Sequence, residues 1–212
     1  MNTLCWLSAG DLIKQLPSGA VTSSQMVNAT LERMAECEPA LNAIYINKAE
    51  AARVQASASD QRRRAGKPLS PLDGVPITLK ENLYSVGDPA PIGTRASPLE
   101  AKTVNAPITD RLHESGLVVV GKTTMPDFGM LSSGQSSFHG VTRNPWQRDR
   151  NPGGSSSGEG LPVRPVTGRC TLAPTLVARY AYRQASAGFT GSNPRSVGCR
   201  STHRTWAAWR GP

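Results

Sequence analysis

The feature that most limits how this chain can fold is an abrupt change of composition at Leu161. All fifteen acidic residues and all six lysines precede it, as do every isoleucine and every methionine. From Leu161 to Pro212 the chain carries eight arginines and no acidic residue, so nearly all of the net charge of +9 belongs to this tail. We therefore predict that residues 1–160 form the folded part and that residues 161–212 are an arginine-rich, disordered tail.

Composition also narrows the class of protein. No run of about eighteen apolar residues occurs, so we predict no transmembrane helix. The start of the chain has no basic region, and Asp11 and Lys14 interrupt its apolar stretch, which argues against a secretory signal and favours a cytoplasmic protein. The four cysteines and three histidines lack metal-ligand spacing, so no metal site is predicted.

Residues 1–160 show the periodicities of alternating helices and strands. Helices are predicted after Ser8, from about Thr22 to Pro39, over 49–64 and over 103–115, and strands over 41–46, 75–80 and 117–122. The last of these strands is wholly apolar, as expected of a strand covered on both faces of a sheet. The pattern predicts an α/β fold. The triplet Arg62–Arg64 is interpreted as cations placed favourably at a helix C-terminus, rather than as an anion site.

A lysine ends the predicted strand that follows the turn at Asp73 and Gly74. If Lys80 were buried, desolvation would lower its pKa and allow it to act as a base. Taken by itself, this segment is explained more simply by a strand-end lysine that reaches solvent.

A glycine–serine stretch, Asn151–Gly160, reads N-P-G-G-S-S-S-G-E-G. Glycines on both sides of three serines permit positive φ and close backbone approach. Serines held in this way can present hydroxyl and N–H groups to a developing negative charge. The stretch alone also fits a flexible linker.

Four segments in order resemble the amidase signature family, serine hydrolases that include bacterial amidases and fatty-acid amide hydrolase. They are G-V-P-I-T-L-K at 74–80, G-L-V-V-V-G-K-T at 116–123, N-P-W at 144–146 and N-P-G-G-S-S-S-G at 151–158. The resemblance covers roughly residues 8–160. It implies that the chain supplies the N-terminal part of a larger α/β fold, a mixed sheet wrapped by helices, and is incomplete.

The resemblance implies a Ser–cis-Ser–Lys triad and hydrolysis of amide C–N bonds in a small-molecule substrate, with no cofactor. Lys80 would be the base, Ser155 the bridging serine with a cis peptide bond, and Ser156 a supporting hydroxyl. A neutral lysine can accept a proton through such a serine, and nearby N–H groups would stabilise the oxyanion.

Three further residues take their interpretation from the same resemblance. Met130 and Ser132 fall where the family lines the acyl side of the substrate. Ser157 stands where the family usually has glycine, and we expect the extra hydroxyl to crowd the loop.

The segment that carries the family's nucleophile, G-T-D-I-G-G-S-[IV]-R, is missing from this chain. Residues 172–179 read L-A-P-T-L-V-A-R instead. From Cys170 on, codons compatible with the tail can be read in another frame, taking the last base of one codon with the first two of the next. They then permit L-H-V-G-T-D-I-G-G-S-V-R-L-P-A-G.

We therefore hypothesise that the reading frame is lost near Gly160 or Leu161. The codon of the nucleophilic serine would span those of Ala178 and Arg179. This chain would then be an inactive N-terminal portion of an amidase.

Two other interpretations stay open, and one expectation follows from incompleteness. Another serine could sustain residual hydrolysis, or the tail could be an arm that binds nucleic acid or an acidic partner, although a tail without function is simpler. An incomplete sheet would leave strands such as 117–120 without neighbours, and exposed edges favour aggregation or proteolysis. The oligomeric state and the particular amide are not predicted.

Overall fold

The computed structural model describes Leu4, residues 9–160 and the strand at residues 171–172. The helices are α1 (Ala9–Gln15), α2 (Ser23–Leu41), α3 (Ala49–Arg64) and α4 (Pro107–Glu114). The strands are β1 (Ile44–Asn47), β2 (Pro76–Lys80), β3 (Val118–Thr123), β4 (Gln135–Ser136), β5 (Gly140–Val141) and β6 (Thr171–Leu172). Two 3-10 turns, Asp127–Gly129 and Ser157–Gly160, lie in the loops.

The main sheet has the order β1-β3-β2-β6 and is mixed. β2 runs parallel to β3 and to β6, whereas β1 is antiparallel to β3. The predicted α/β class is confirmed. The prediction that residues 117–120 lack neighbours is wrong, because β1 and β2 cover β3 on both sides. β6 also departs from the disorder predicted for the tail, most of which lies outside the described residues.

β3 is buried on both faces, and this explains its unbroken apolar sequence. Val119 packs with Ile77 and Leu79 of β2 in a cluster that includes residues of α1 and α4. Val118 and Val120 point the other way, into a cluster built from α2 and α3. Each buried valine or leucine stabilises the fold by about 1.5–3 kcal/mol. The two clusters fix β2 and β3, and with them the lysines at or near their ends.

Helix α2 is two residues longer than predicted, and the strand after it is shorter. Thr22 forms a capping box with Gln25, which satisfies two backbone N–H groups at the start of the helix. The helix runs through Pro39 to Leu41, and the backbone turns at Asn42, which has a φ of 50°. Asparagine tolerates this left-handed conformation. Its amide also hydrogen-bonds the last turn, and so the helix continues past the proline.

Helix α4 begins at Pro107, four residues later than predicted. Proline suits the first helical position because the N–H that it lacks would have no partner there. Val104, which the periodic pattern assigned to the apolar face, is 64% exposed and precedes the helix, whereas Leu112 is buried as predicted. Among the described residues, no helix is long and apolar enough to cross a membrane.

The arginines at the end of α3 do not act on the helix terminus alone, so that interpretation is corrected. Arg62 donates two hydrogen bonds to the buried carboxylate of Asp73, at 2.9 and 2.6 Å. Arg63 donates to the backbone carbonyl of Asp73, with Nε at 3.0 Å. Burial disfavours the charged carboxylate, but bonds from Arg62 and from the amide of Leu69 outweigh it and lower the pKa of Asp73. This anchor fixes the turn that leads into β2.

Candidate active site

Lys80 is the last residue of β2, and every residue of that strand is buried. The side chain is 3% exposed, so the interpretation of a lysine that reaches solvent does not hold. Its Nζ donates a hydrogen bond of 3.0 Å to Ser155 Oγ across 75 residues of sequence. The structure therefore brings together the two residues that the motifs had singled out.

The three serines of the glycine–serine stretch are all buried, and the peptide bond between Gly154 and Ser155 is cis. Gly154 packs so closely on the preceding loop that a Cβ there would lie 2.5 Å from the carbonyl oxygen of Leu131 and 2.6 Å from that of Ser133. No side chain fits at such a distance, so glycine is required. The stretch is part of the packed interior and not a linker.

Ser157 fits where crowding was expected. Its hydroxyl donates a hydrogen bond of 3.1 Å to the carbonyl oxygen of Ser133, and the side chain is buried. The added hydroxyl therefore fastens the stretch to the loop before β4. Ser156 is also buried, and its carbonyl accepts the amide of Glu159 at 3.3 Å.

Met130 and Ser132 lie at the surface beside the serine run. Met130 is 82% exposed, and both side chains face solvent rather than Lys80. A Cβ built on Gly129 would be 3.7 Å from Ser155 Oγ, so this loop borders the Lys80–Ser155 pair. Phe128 and Leu131 of the same loop are exposed as well, and sequence reasoning had not singled them out.

A second buried lysine was also missed. Lys122 is fully buried, and its Nζ lies 3.7 Å from Asp88 Oδ2. The same oxygen is 2.7 Å from Lys48 Nζ. Burial lowers the pKa of Lys122, although the Asp88 carboxylate opposes the shift. The signal was present in the sequence, because Lys122 ends an apolar strand just as Lys80 does.

Glu81, the residue after Lys80, is fully buried, and its carboxylate contacts His139 Nε2. The edge of the Tyr45 ring meets the imidazole at a centroid distance of 4.9 Å. Burial raises the pKa of Tyr45, and the carboxylates of Glu81 and Asp88 raise it further. No local pattern could have revealed the Glu81–His139 contact, since 58 residues separate its partners.

The described residues include no cluster of three or more His, Cys, Asp or Glu that could hold a metal ion. The chemistry on view is that of a buried amine, hydroxyl groups and backbone N–H groups. Such a set can move a proton between side chains.

The mixed sheet, with a buried lysine bonded to a serine in a glycine-rich loop, has counterparts among known hydrolases. The amidase family model matches residues 25–163. The chain belongs to the amidase signature family.

Solved structures of this family resemble the chain at 27–31% identity. A bacterial aryl acylamidase gives a TM-score of 0.69 over 76% of this chain and 34% of its own, at 27% identity. Fatty acid amide hydrolase gives a TM-score of 0.71 over 75% of this chain and 28% of its own, at 28% identity. The peptide amidase of Stenotrophomonas maltophilia gives 0.66 over 73% of this chain and 33% of its own, at 31% identity. The fold is therefore the N-terminal part of the amidase signature fold.

Curated relatives include the A-type chain of glutamyl-tRNA(Gln) amidotransferase from two bacteria. The Synechococcus sp. (strain CC9605) protein is 35% identical over 196 residues, 92% of this chain and 38% of its own length. The Thermobifida fusca protein is 38% identical over 163 residues, 77% of this chain and 33% of its own. The chain thus spans little more than a third of the length of these relatives.

Proposed function

We propose that this chain carries the proton-relay half of an amidase active site. In this proposal Lys80 is the base and Ser155 is the bridging serine of a Ser–cis-Ser–Lys triad. The single observation that carries it is the hydrogen bond of 3.0 Å from Lys80 Nζ to Ser155 Oγ. Both side chains are buried, and an amine removed from water favours its neutral form, which is the form that a base requires.

The relay would work as follows in a complete family site. The neutral amine of Lys80 accepts a proton from Ser155 Oγ, while Ser155 accepts one from a nucleophilic serine. The oxygen of that serine bonds to the carbonyl carbon of the amide. The proton then returns along the same path to the leaving amine as the C–N bond breaks. Water cleaves the resulting acyl ester by the same route.

The substrate we propose is a small-molecule amide with an apolar substituent. Phe128, Met130 and Leu131 expose apolar side chains on the loop that borders Ser155. Met130 and Ser132 would line the acyl side, and Ser156 would support the loop that holds Ser155. The relatives named as an aryl acylamidase and a fatty acid amide hydrolase act on amides with apolar groups, which supports this class.

We further propose that the nucleophile is encoded in a shifted frame and that this chain by itself does not hydrolyse amides. The change of composition at Leu161 and the end of the family match at residue 163 support this. The match to the Synechococcus protein continues into the tail, which counts against it. Sequencing the gene around codons 160 and 161 decides the matter, since an intact frame without insertion or deletion relative to related genes would refute the shift.

Restoring the frame tests the relay and the shift together. We expect the frame-restored chain to release nitroaniline from an acyl 4-nitroanilide, and the present chain to release none above background. Within the restored chain, Lys80→Ala should lower kcat by about 10²–10⁴-fold because the base is lost. Lys67→Ala, which removes an exposed lysine, is the matched control and should leave the rate unchanged. Equal rates for the two variants would contradict the assignment of Lys80.

A further inference from the structure

The contact between Glu81 and His139 joins the two parts of the molecule on which the relay depends. Glu81 directly follows Lys80, and its backbone N–H donates to the carbonyl oxygen of Thr123 at 3.1 Å, so the end of β2 is tied to β3. Its carboxylate reaches out of the sheet to His139, in the turn between β4 and β5. The contact thus bridges the lysine strand and the β4–β5 hairpin.

The imidazole of His139 is held in place independently of Glu81. Its ring meets the edges of Tyr45 and Phe138, each at a centroid distance of 4.9 Å. The backbone N–H of His139 donates to Ser136 Oγ at 2.9 Å, and its carbonyl accepts from Asn42 Nδ2 at 2.7 Å. A ring fixed in this way can fix its partner carboxylate.

The hairpin side of the bridge also supports the serine run. The loop that enters β4 carries the carbonyl of Ser133, which accepts the hydroxyl proton of Ser157. Gly154 packs against the same carbonyl and against that of Leu131. Ser155 therefore rests on the segment that leads into the hairpin, whereas Lys80 rests on β2.

The carboxylate of Glu81 depends on this contact. Among the described residues its second oxygen, Oε1, is buried and has no hydrogen-bond partner. A buried carboxylate that loses its hydrogen bond has a strong reason to move towards water. Charged or titratable groups that face it come from three other elements: Tyr45 of β1, Lys122 of β3 and Asp88 of the loop after β2. None of these replaces the hydrogen bond to His139.

We propose that Glu81 and His139 are positioning residues that hold Lys80 against Ser155. The bridge keeps the end of β2 and the loop beneath the serine run at a fixed separation, so that Nζ and Oγ stay within hydrogen-bond distance. This inference rests on the proposed function, because it assigns a purpose to the geometry of the relay.

The test is an NMR titration of lysine ¹³Cε signals in the full chain. Only six lysines are present, and Lys80→Arg assigns the signal of interest. His139→Phe keeps an aromatic ring against Tyr45 and Phe138 but removes the bond to Glu81. We expect it to raise the titration midpoint of Lys80 by about one pH unit or more towards that of exposed Lys67, because a released amine becomes hydrated. His139→Gln, which can still donate to Glu81, should restore the wild-type midpoint.

A second variant separates positioning from simple electrostatics and does not leave a buried charge unpaired. Glu81→Met removes the carboxylate. If Glu81 acted only through its charge, losing an anion would lower the Lys80 midpoint, whereas loss of positioning raises it. Asp73→Asn breaks another buried carboxylate contact away from the site, and it should reduce stability without moving the midpoint.

The outcomes distinguish the two proposals. If the wild-type midpoint of Lys80 lies below that of Lys67 but neither His139→Phe nor Glu81→Met raises it, the positioning role is refuted and the relay stands. If Lys80 titrates like Lys67 in the wild-type chain and Ser155→Ala changes nothing, the relay itself is refuted. Should His139→Phe fail to give a cooperative melt, Glu81→Met decides alone.

Discussion

Two lysines at the ends of neighbouring parallel strands have different surroundings. Lys80 donates to a neutral hydroxyl, that of Ser155. Lys122 lies near the Asp88 carboxylate at 3.7 Å, but Lys48 holds that carboxylate more closely. The free energy of a buried amine depends on its partner, since an ammonium without a close anion is strongly disfavoured. Burial at the end of a strand therefore sets up both amines, and the nearest side chain decides what each can do.

Replacing Lys122 tests this at the level of one residue. The folded-state pKa of Lys122 is lowered from 10.5, so the folded chain binds fewer protons than the unfolded chain between the lowered value and 10.5. Stability must rise with pH across that window. We expect Lys122→Met to remove this rise, so that the variant gains relative to wild type at neutral pH and the gain disappears near pH 10.5. Urea unfolding from pH 7 upwards measures it, and a pH-independent difference would contradict the assignment.

At the level of elements, β2 is aligned by contacts from outside the sheet. Arg62 and Arg63 of α3 hold the Asp73 turn that begins it, and Glu81 and His139 fasten its end. The strand has only five residues, and a strand that short is positioned by its neighbours more than by its own propensity. The position of Lys80 is therefore a property of three elements together.

Breaking the anchor at the start of β2 should show in the acid limb of stability. The pKa of Asp73 is depressed below 3.8, so its contribution is present above that pH and is lost as pH falls through the folded-state value. We expect Asp73→Asn to cost about 1–3 kcal/mol at neutral pH, since hydrogen bonds to a charged group are lost. The difference from wild type should vanish in strong acid.

Urea unfolding between pH 2 and pH 7 follows that difference. Asp110→Asn is the matched control, because this exposed carboxylate accepts only a surface hydrogen bond from Asn105. It should change stability by less than about 0.5 kcal/mol. An equal loss in both variants would show that the Asp73 anchor contributes nothing special.

For the whole molecule, the vulnerable strand is β2 and not β3. β3 is covered on both sides by strands from residues 9–160, whereas the outer side of β2 is paired through Thr78 and Leu79 with β6 of the tail. Unpaired N–H and C=O groups on an apolar strand invite pairing with another chain. The tail thus covers an edge inside the fold, whatever frame encodes it.

Removing residues 161–212 tests that role of the tail. We expect the shortened chain to form larger particles than the full chain at equal concentration, because the edge of β2 becomes exposed. Dynamic light scattering over a concentration series measures this. Replacing every tail arginine by lysine keeps the length and the charge and serves as the control. A shortened chain that stays as monodisperse as the full chain would show that β6 does not protect the edge.

Much of the architecture follows from local patterns. Ala49–Arg64 and the buried run in β3 were predicted closely, since helical and strand periodicities are properties of adjacent residues. The ends of α2 and the start of α4 were missed, because capping at Asn42 and Pro107 overrode the apolar pattern. Ser157 was expected to crowd its loop, but Ser133, brought near by folding, offers its hydroxyl an acceptor.

The sequence by itself determined the α/β class, the strand that ends at Lys80, the glycine requirement around the serine run and the resemblance to amidases. All of these depend on residue order over short distances. Only the tertiary structure decided that Lys80 bonds Ser155, that Arg62 anchors Asp73 and that Glu81 meets His139. These pairs lie 75, 11 and 58 residues apart, and the first and last join different elements. Their geometry depends on strand order and on packing of the two cores, which no local pattern encodes.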